Sequence, residues 1–145
     1  MTIRAARPED AAAIAVLATQ LGYPSRPEEA AARLRDVLAR PDDAVLVAED
    51  ADGAVIGYGH VGGTHHLDLD PYAEIRALVV DESRRSRGTG AALVAAMMAW
   101  GTEHGYREMR VRSNVVRERA HAFYERLGFA RVKRQQVFAL KLGLG

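Results

Sequence analysis

The residues best suited to chemistry lie between positions 79 and 94, in the stretch VVDESRRSRGTGAALV. Arg84, Arg85 and Arg87 crowd a turn formed by Gly88, Thr89 and Gly90, with valines before it and an alanine-rich aliphatic run after it. A helix that begins at Gly88 leaves four backbone N–H groups without internal partners and carries about half a positive charge at that end. Glycines at 88 and 90 remove the side chains that would keep a large anion from those groups. These are the parts of a pyrophosphate site. Two other phosphate loops fail. A Walker loop needs Lys and then Ser or Thr after its last glycine, but Ala91 and Ala92 follow Gly90. A dinucleotide fingerprint needs a third small residue where Leu93 stands. On this stretch alone, a plain turn with solvated arginines remains the alternative.

His60, His65, His66, Asp68 and Asp70 also carry ligating side chains, but without rigid spacing. We expect no metal there and read a substrate loop or a solvated loop. The chain has no cysteine, so a sulfur nucleophile would have to come from a ligand. Twenty basic and nineteen acidic side chains leave a net charge of +1, too little for a bulk field toward nucleic acid or an anionic membrane. With 48% hydrophobic and 27% charged residues over 145 positions, the composition fits one globular domain, residues 1–145. The longest apolar run, Ala91–Trp100, is too short to span a bilayer, and no secretory signal follows Met1. The expected location is cytoplasmic.

The elements that must position these residues can be read in order. Thr2–Ala6 reads as a strand. A helix opens at Pro8-Glu9-Asp10 and runs through Leu21. Ser25 and Glu28 have the spacing of a capping box for a second helix to about Leu38. Asp52-Gly53 is a hairpin turn between AVLVAED and AVIGYGHV. YAEIRALVV is a strand, Gly88 to about His104 a helix, and REMRVRS the next strand. Residues 117–127 form an amphipathic helix with Ala120, Phe123, Tyr124 and Leu127 on one face, closed by Gly128 with Phe129 folding back. QQVFALKL reads as a closing strand with Phe138, Leu140 and Leu142 on one face. Met97, Met98 and Trp100 sit in a helix apolar around most of its circumference, which implies burial, with a subunit contact as the lesser alternative. The fold class is α/β (α+β): a mixed, mostly antiparallel sheet flanked by about four helices.

Arg85-x-x-Gly88-x-Gly90, preceded by LVVDES and followed some thirty residues later by AHAFYERLGF, resembles the GNAT N-acetyltransferase superfamily over roughly Ile56–Leu142. The resemblance implies that Arg85, Ser86, Arg87, Gly88, Thr89, Gly90 and Ala91 hold the pyrophosphate of acetyl-coenzyme A. It implies that Leu78, Val79 and Val80 offer main-chain groups to the pantetheine and the thioester carbonyl. Many members carry Asn seven residues before the tyrosine of the last motif, where this chain has Arg117. Arg117 would then reach a phosphate instead, with Asn114 close by.

Acetyl transfer to an amine has two proton problems. An amine of pKa ~10.4 is neutral at pH 7 only rarely, a deficit of roughly 4.6 kcal/mol. Glu74 lies six residues before Val80, so simple alternation places both on one strand face. AEIRALVV resembles the strand that carries the general base in histone acetyltransferase members, which makes Glu74 the expected base, through water. The alternative is a solvated carboxylate paired with an arginine. The leaving thiolate, of pKa ~8.5, can take a proton from a positioned tyrosine. Tyr124 in FYERLGF matches the family's general acid; the alternative is a packed tyrosine bonding a carbonyl.

The expected reaction is direct attack by a primary amine in a ternary complex with acetyl-CoA. VVRERAHAFYERLGFARVKRQQVFALKL and the histidine-rich loop look most like aminoalkylphosphonate and aminoglycoside N-acetyltransferases. A phosphonate would use His65, His66 or Arg76; a polyamine sugar would use Asp68, Asp70 or Glu74. Acetylation of a protein N-terminus or lysine is the second reading, and a non-catalytic acetyl-CoA sensor or interaction module the third. The expected partners are a small-molecule amine and a second copy of the chain, with neither nucleic acid nor membrane.

Overall fold

The computed structural model describes residues 1–85, 87–113 and 115–143. They fall into two compact units, residues 1–112 and residues 113–145.

The first unit is built on a five-stranded sheet: β1 (Thr2–Ala5), β2 (Asp43–Glu49), β3 (Val55–Thr64), β4 (Tyr72–Val80) and β5 (Met109–Val111), neighbouring one another in that order. The first three pairings are antiparallel and the last, β4 with β5, is parallel. Helices α1 (Ala11–Gln20), α2 (Pro27–Leu38) and α3 (Thr89–Glu103) cover it. One face carries Val45 and Val47 against Ala11, Ala15, Ala30 and Leu34 of α1 and α2. The other carries Ala48 and Ile56 against Leu93 of α3.

Glycines on β3 set how closely α3 approaches. A Cβ on Gly57 would lie 3.0 Å from the Val79 carbonyl oxygen and 3.2 Å from Leu93, and one on Gly59 would lie 2.8 Å from Met97. The helix rests against backbone there, which anchors its first turn beside the end of β4.

Local chemistry explains most of the boundaries. Pro8 opens a short 3-10 turn that runs into α1. Asp10 takes two hydrogen bonds from Arg4, both 2.8 Å, and one from the Arg7 N–H, tying that turn to β1. The α2 cap lies one residue later than the Ser25–Glu28 spacing suggests. Pro27 occupies the first turn, where a missing N–H costs nothing, so Arg26 becomes the cap and its N–H donates to Glu29. The Asp52-Gly53 hairpin forms as expected, with Gly53 at φ 83° and Asp50 accepting from the Asp52 and Ala54 N–H groups. The strand expected over REMRVRS contracts to Met109–Val111.

In the second unit, α4 spans Glu118–Arg126. The Gly128 N–H donates to the Glu125 carbonyl and the Phe129 N–H to the Tyr124 carbonyl, the paired bonds of a left-handed glycine cap. The expected closing strand over QQVFALKL does not form: residues 130–143 are in neither helix nor strand. Alternation alone does not make a strand without a ladder partner, and Val137, Phe138, Leu140 and Leu142 are each 77–88% exposed.

Among the described residues no helix is long and apolar enough to cross a membrane.

Candidate active site

Helix α3 begins where the arginine and glycine pattern places it. Asp81 ends β4 and accepts from the Ser83 N–H and hydroxyl, turning the chain through a short 3-10 segment at Glu82–Arg84. Gly88 then caps α3 at φ 82°, a left-handed conformation that glycine adopts without strain. Arg85, Arg87 and Gly88 are exposed, while Thr89 is buried against the sheet side of the helix. Gly90 and Ala91 follow in the first turn, where N–H groups have no helical acceptor. Arg84 differs from its neighbours. It is held 2.8 Å from Asp50 beside the hairpin turn, so its charge is already committed. Ser86 lies outside the described residues.

Strand β4 presents the second feature. β5 pairs with it only along Ala73–Ile75. From Arg76 to Val80 the β5-side edge has no strand neighbour among the described residues, although β3 pairs along the opposite edge. The Asp81 N–H donates to the Ile56 carbonyl, so by alternation the main-chain groups of Val79 face Tyr58 on β3 and those of Leu78 and Val80 face the open edge.

A bulge corrects one expectation. His60 pairs with Ala77 but Val61 pairs with Ile75, so Arg76 is an extra residue on β4. The extra residue inverts the alternation. Val80 packs on the α3 face with Ala48 and Leu93, whereas Glu74 lies opposite Gly62 and Asp43 on the α1–α2 face.

Glu74 sits at the centre of a polar network on that face. Its carboxylate accepts from the Thr64 hydroxyl at 2.7 Å, from Arg76 at 3.1 Å and from Arg112 at 2.8 Å. Burial pushes its carboxyl up, but the bonds from Thr64 and Arg112 outweigh burial and hold it below the usual range. It is ionised at neutral pH and already engaged. Nearby, Asp43 is almost fully buried and takes a 2.7 Å hydrogen bond from His60 and one from Arg40 at 3.2 Å. Burial raises the Asp43 carboxyl too, and again the His60 and Arg40 bonds prevail and lower it. Tyr106 donates to Asp42, and His65 lies 3.2 Å from the same phenol oxygen. Burial and the Asp42 partner push the Tyr106 phenol up to about 12.

Sequence reasoning named Glu74 but missed Asp43, Thr64 and Arg112. They lie on different strands and loops, and only the register brings them together. The histidine and aspartate residues do not converge as ligands: no group of three or more His, Asp or Glu suited to a metal occurs among the described residues.

Tyr124 lies half-buried on α4, its ring edge-on to Phe123 at 5.1 Å and to Phe129 at 5.6 Å. Burial raises its phenol above the ordinary value, with Arg117 pulling the other way. The hydroxyl has no hydrogen-bond partner among the described residues, so the carbonyl-bonded alternative is not seen there. Arg117 is exposed at the N-cap of α4, and Asn114 lies outside the described residues.

Comparison with known proteins agrees with this geometry. The acetyltransferase (GNAT) family profile matches residues 10–129. The chain is 33% identical to an aminoglycoside N(6')-acetyltransferase type 1 of Stenotrophomonas maltophilia, over 97% of this chain and 94% of that one. It is 25% identical to the enzyme of the same name from Serratia marcescens, over 88% and 90%. Among solved structures, the aminoglycoside N-acetyltransferase AAC(6')-Iy in complex with CoA superposes with a TM-score of 0.83 at 25% identity, covering 97% of this chain and all of that one. With a left-handed glycine turn opening α3, an unpaired edge on β4 and a profile match across most of its length, the chain belongs to the acetyltransferase (GNAT) family and is an acetyl-CoA-dependent N-acetyltransferase.

Proposed function

We propose that the acceptor is a primary amine on a small polycation of the aminoglycoside type. The observation that carries this reading is the 33% identity to an aminoglycoside N(6')-acetyltransferase along nearly the whole of both chains. The local charges agree with it. Asp68 and Asp70 stand in the exposed 65–71 loop, and Asp42 is partly exposed at the start of β2. Carboxylates at such positions favour a polyamine over an aminophosphonate.

In this reading the pyrophosphate of acetyl-CoA is held by the first turn of α3, Gly88 to Ala91, with Arg85, Ser86 and Arg87 outside it. The pantetheine lies along the open edge of β4 at Leu78, Val79 and Val80. Arg117 and Asn114 serve its phosphates. The fixed carboxylate of Glu74 draws the ammonium toward the site by its charge, its own oxygens being engaged by Thr64 and Arg112. Tyr124 gives a proton to the departing thiolate. Direct attack in a ternary complex needs no nucleophile from the protein, in keeping with the absence of cysteine.

Residues 1–145 act as one catalytic unit in the cytoplasm, and two chains associate. The association is motivated by Phe138, Leu140 and Leu142, a strand-patterned apolar row that stands exposed. Sedimentation at micromolar concentration tests it, and a monomer mass refutes it. The acceptor is tested by thiol release from acetyl-CoA across aminoglycosides, simple amines, aminophosphonates and peptides. Turnover confined to aminophosphonates or peptides refutes the polycation reading.

A further inference from the structure

The polar network holds one group better placed to take a proton than Glu74. His60 lies on β3 directly opposite Ala77 and on the same sheet face as Val79, beside the β4 segment with the open edge. Its Nε2 is 2.7 Å from Asp43 Oδ2, and the Asp43 side chain is only 3% exposed. An ionised, buried carboxylate can only accept, so it fixes the proton on Nε2 and leaves Nδ1 with a lone pair. Nδ1 has no partner among the described residues, and the His60 side chain is 20% exposed. Glu74 on the same face has three donors.

We propose that His60, oriented by Asp43, is the proton acceptor for the attacking amine. The proposal rests on the reading that this chain acetylates a primary amine. The neutral amine nitrogen attacks the thioester carbonyl carbon, and its N–H proton passes to His60 Nδ1 as the C–N bond forms. The C–S bond then breaks with its electron pair on sulfur, and the thiolate takes a proton from Tyr124. Water removes the proton from His60 and restores the one on Tyr124, so amide and thiol form with no further reactant.

The groups around the imidazole suit this task. Asp43 faces it from β2, with Arg40 on the other carboxylate oxygen. Arg76 and Glu74 face it from β4, and Arg76 lies 3.6 Å from Asp43. Tyr58 precedes it by two residues on β3, and α1, which packs on β3, carries no titratable side chain. Asp43 is thus a positioning residue whose negative charge is balanced by two arginines.

The test has two arms. Long-range proton–nitrogen NMR of the free protein reads the tautomer, without turnover. The expected result is Nε2–H with a bare Nδ1, a preference that weakens in Asp43→Asn; an Nδ1–H tautomer in the parent overturns the proposal. In the second arm, His60→Gln keeps an N–H for Asp43 but has no base. Its kcat should fall on the order of 10²- to 10³-fold, with acetyl-CoA affinity unchanged within about 2-fold. Free imidazole should restore part of the rate to His60→Ala, and Asp43→Asn should lose roughly 10-fold through misorientation. His60→Asn gives a second folded variant if His60→Gln is unstable. A parent that acetylates amines alongside a His60→Gln variant of equal kcat and pH profile refutes His60 alone. A parent inactive on every amine refutes the acceptor reading, and the tautomer then decides the fate of the dyad.

Discussion

Replacing Glu74 by Gln separates the structural role of this carboxylate from a chemical one. Gln retains a carbonyl oxygen for the Thr64 hydroxyl but turns an N–H₂ toward a guanidinium. Two partners bear on the cost. Arg112 is 59% exposed and can rehydrate, while Arg76 keeps the Gly63 carbonyl at 2.8 Å and Asp43 at 3.6 Å. One charge-assisted bond is lost and a second weakened, for a cost of about 1.5–3 kcal/mol. This falls below the cost of breaking a fully buried pair because Arg112 reaches water and Arg76 keeps its other partners. For a chain of this size the loss corresponds to a Tm lower by roughly 5–12 °C at pH 7. The pH dependence has a definite sign. The folded carboxyl is held below its ordinary 4.5, so the stabilisation is complete above about pH 5 and disappears as pH falls through the folded value. Melting followed by circular dichroism from pH 7 to 3 should show parent and variant converging on the acid side. The kcat/KM deficit of the variant should stay flat from pH 6 to 9, because the parent carboxylate is ionised throughout. A Tm difference that persists undiminished to pH 3 would refute the assigned network, and a rate deficit that vanishes at high pH would make Glu74 itself the base.

Tyr124→Phe keeps the ring packed against Phe123 and Phe129, so it should fold normally and lose about 10²-fold in kcat measured where chemistry limits turnover. Gly90→Asp should abolish the rise in Tm that acetyl-CoA gives the parent, since a carboxylate in the first turn of α3 repels pyrophosphate; thermal shift with and without acetyl-CoA checks this. Gly57→Val pushes a side chain against the Val79 carbonyl, Leu93 and Thr89, which should cost about 1–3 kcal/mol by denaturant titration and weaken acetyl-CoA binding by calorimetry.

What the sequence shows well are features that local chemistry determines. The helix start at Gly88, the hairpin at Gly53, the left-handed cap at Gly128, the β4 span Tyr72–Val80 and the amphipathic α4 are all legible from residue type and spacing. The glycine turn that opens α3 is legible for the same reason, because its glycines and arginines lie within seven positions. The network around Glu74 is not. Asp43, His60, Thr64 and Arg112 meet only through strand register, and nothing in their spacing along the chain encodes that meeting. QQVFALKL shows the converse: its alternation is a genuine strand signal, yet pairing is a property of two segments and one segment cannot reveal it.

The extra residue at Arg76 works as a phase shift written into β4. Upstream of it, even-numbered positions face the α1–α2 layer; downstream, odd-numbered positions do. The strand can thus aim Glu74 into the polar network and, a few residues on, pack the core in the opposite phase, without a break in the chain. Loss of that single residue would put the two halves back in step. With the downstream half anchored by Leu78 and Val80, Ala77 would still lie opposite His60 and Ile75 opposite Val61, so Glu74 would keep its place opposite Gly62 and the site would lose the Arg76 guanidinium. The extra position therefore serves the site by carrying a guanidinium that reaches Glu74, Asp43 and the Gly63 carbonyl without taking a place in the ladder.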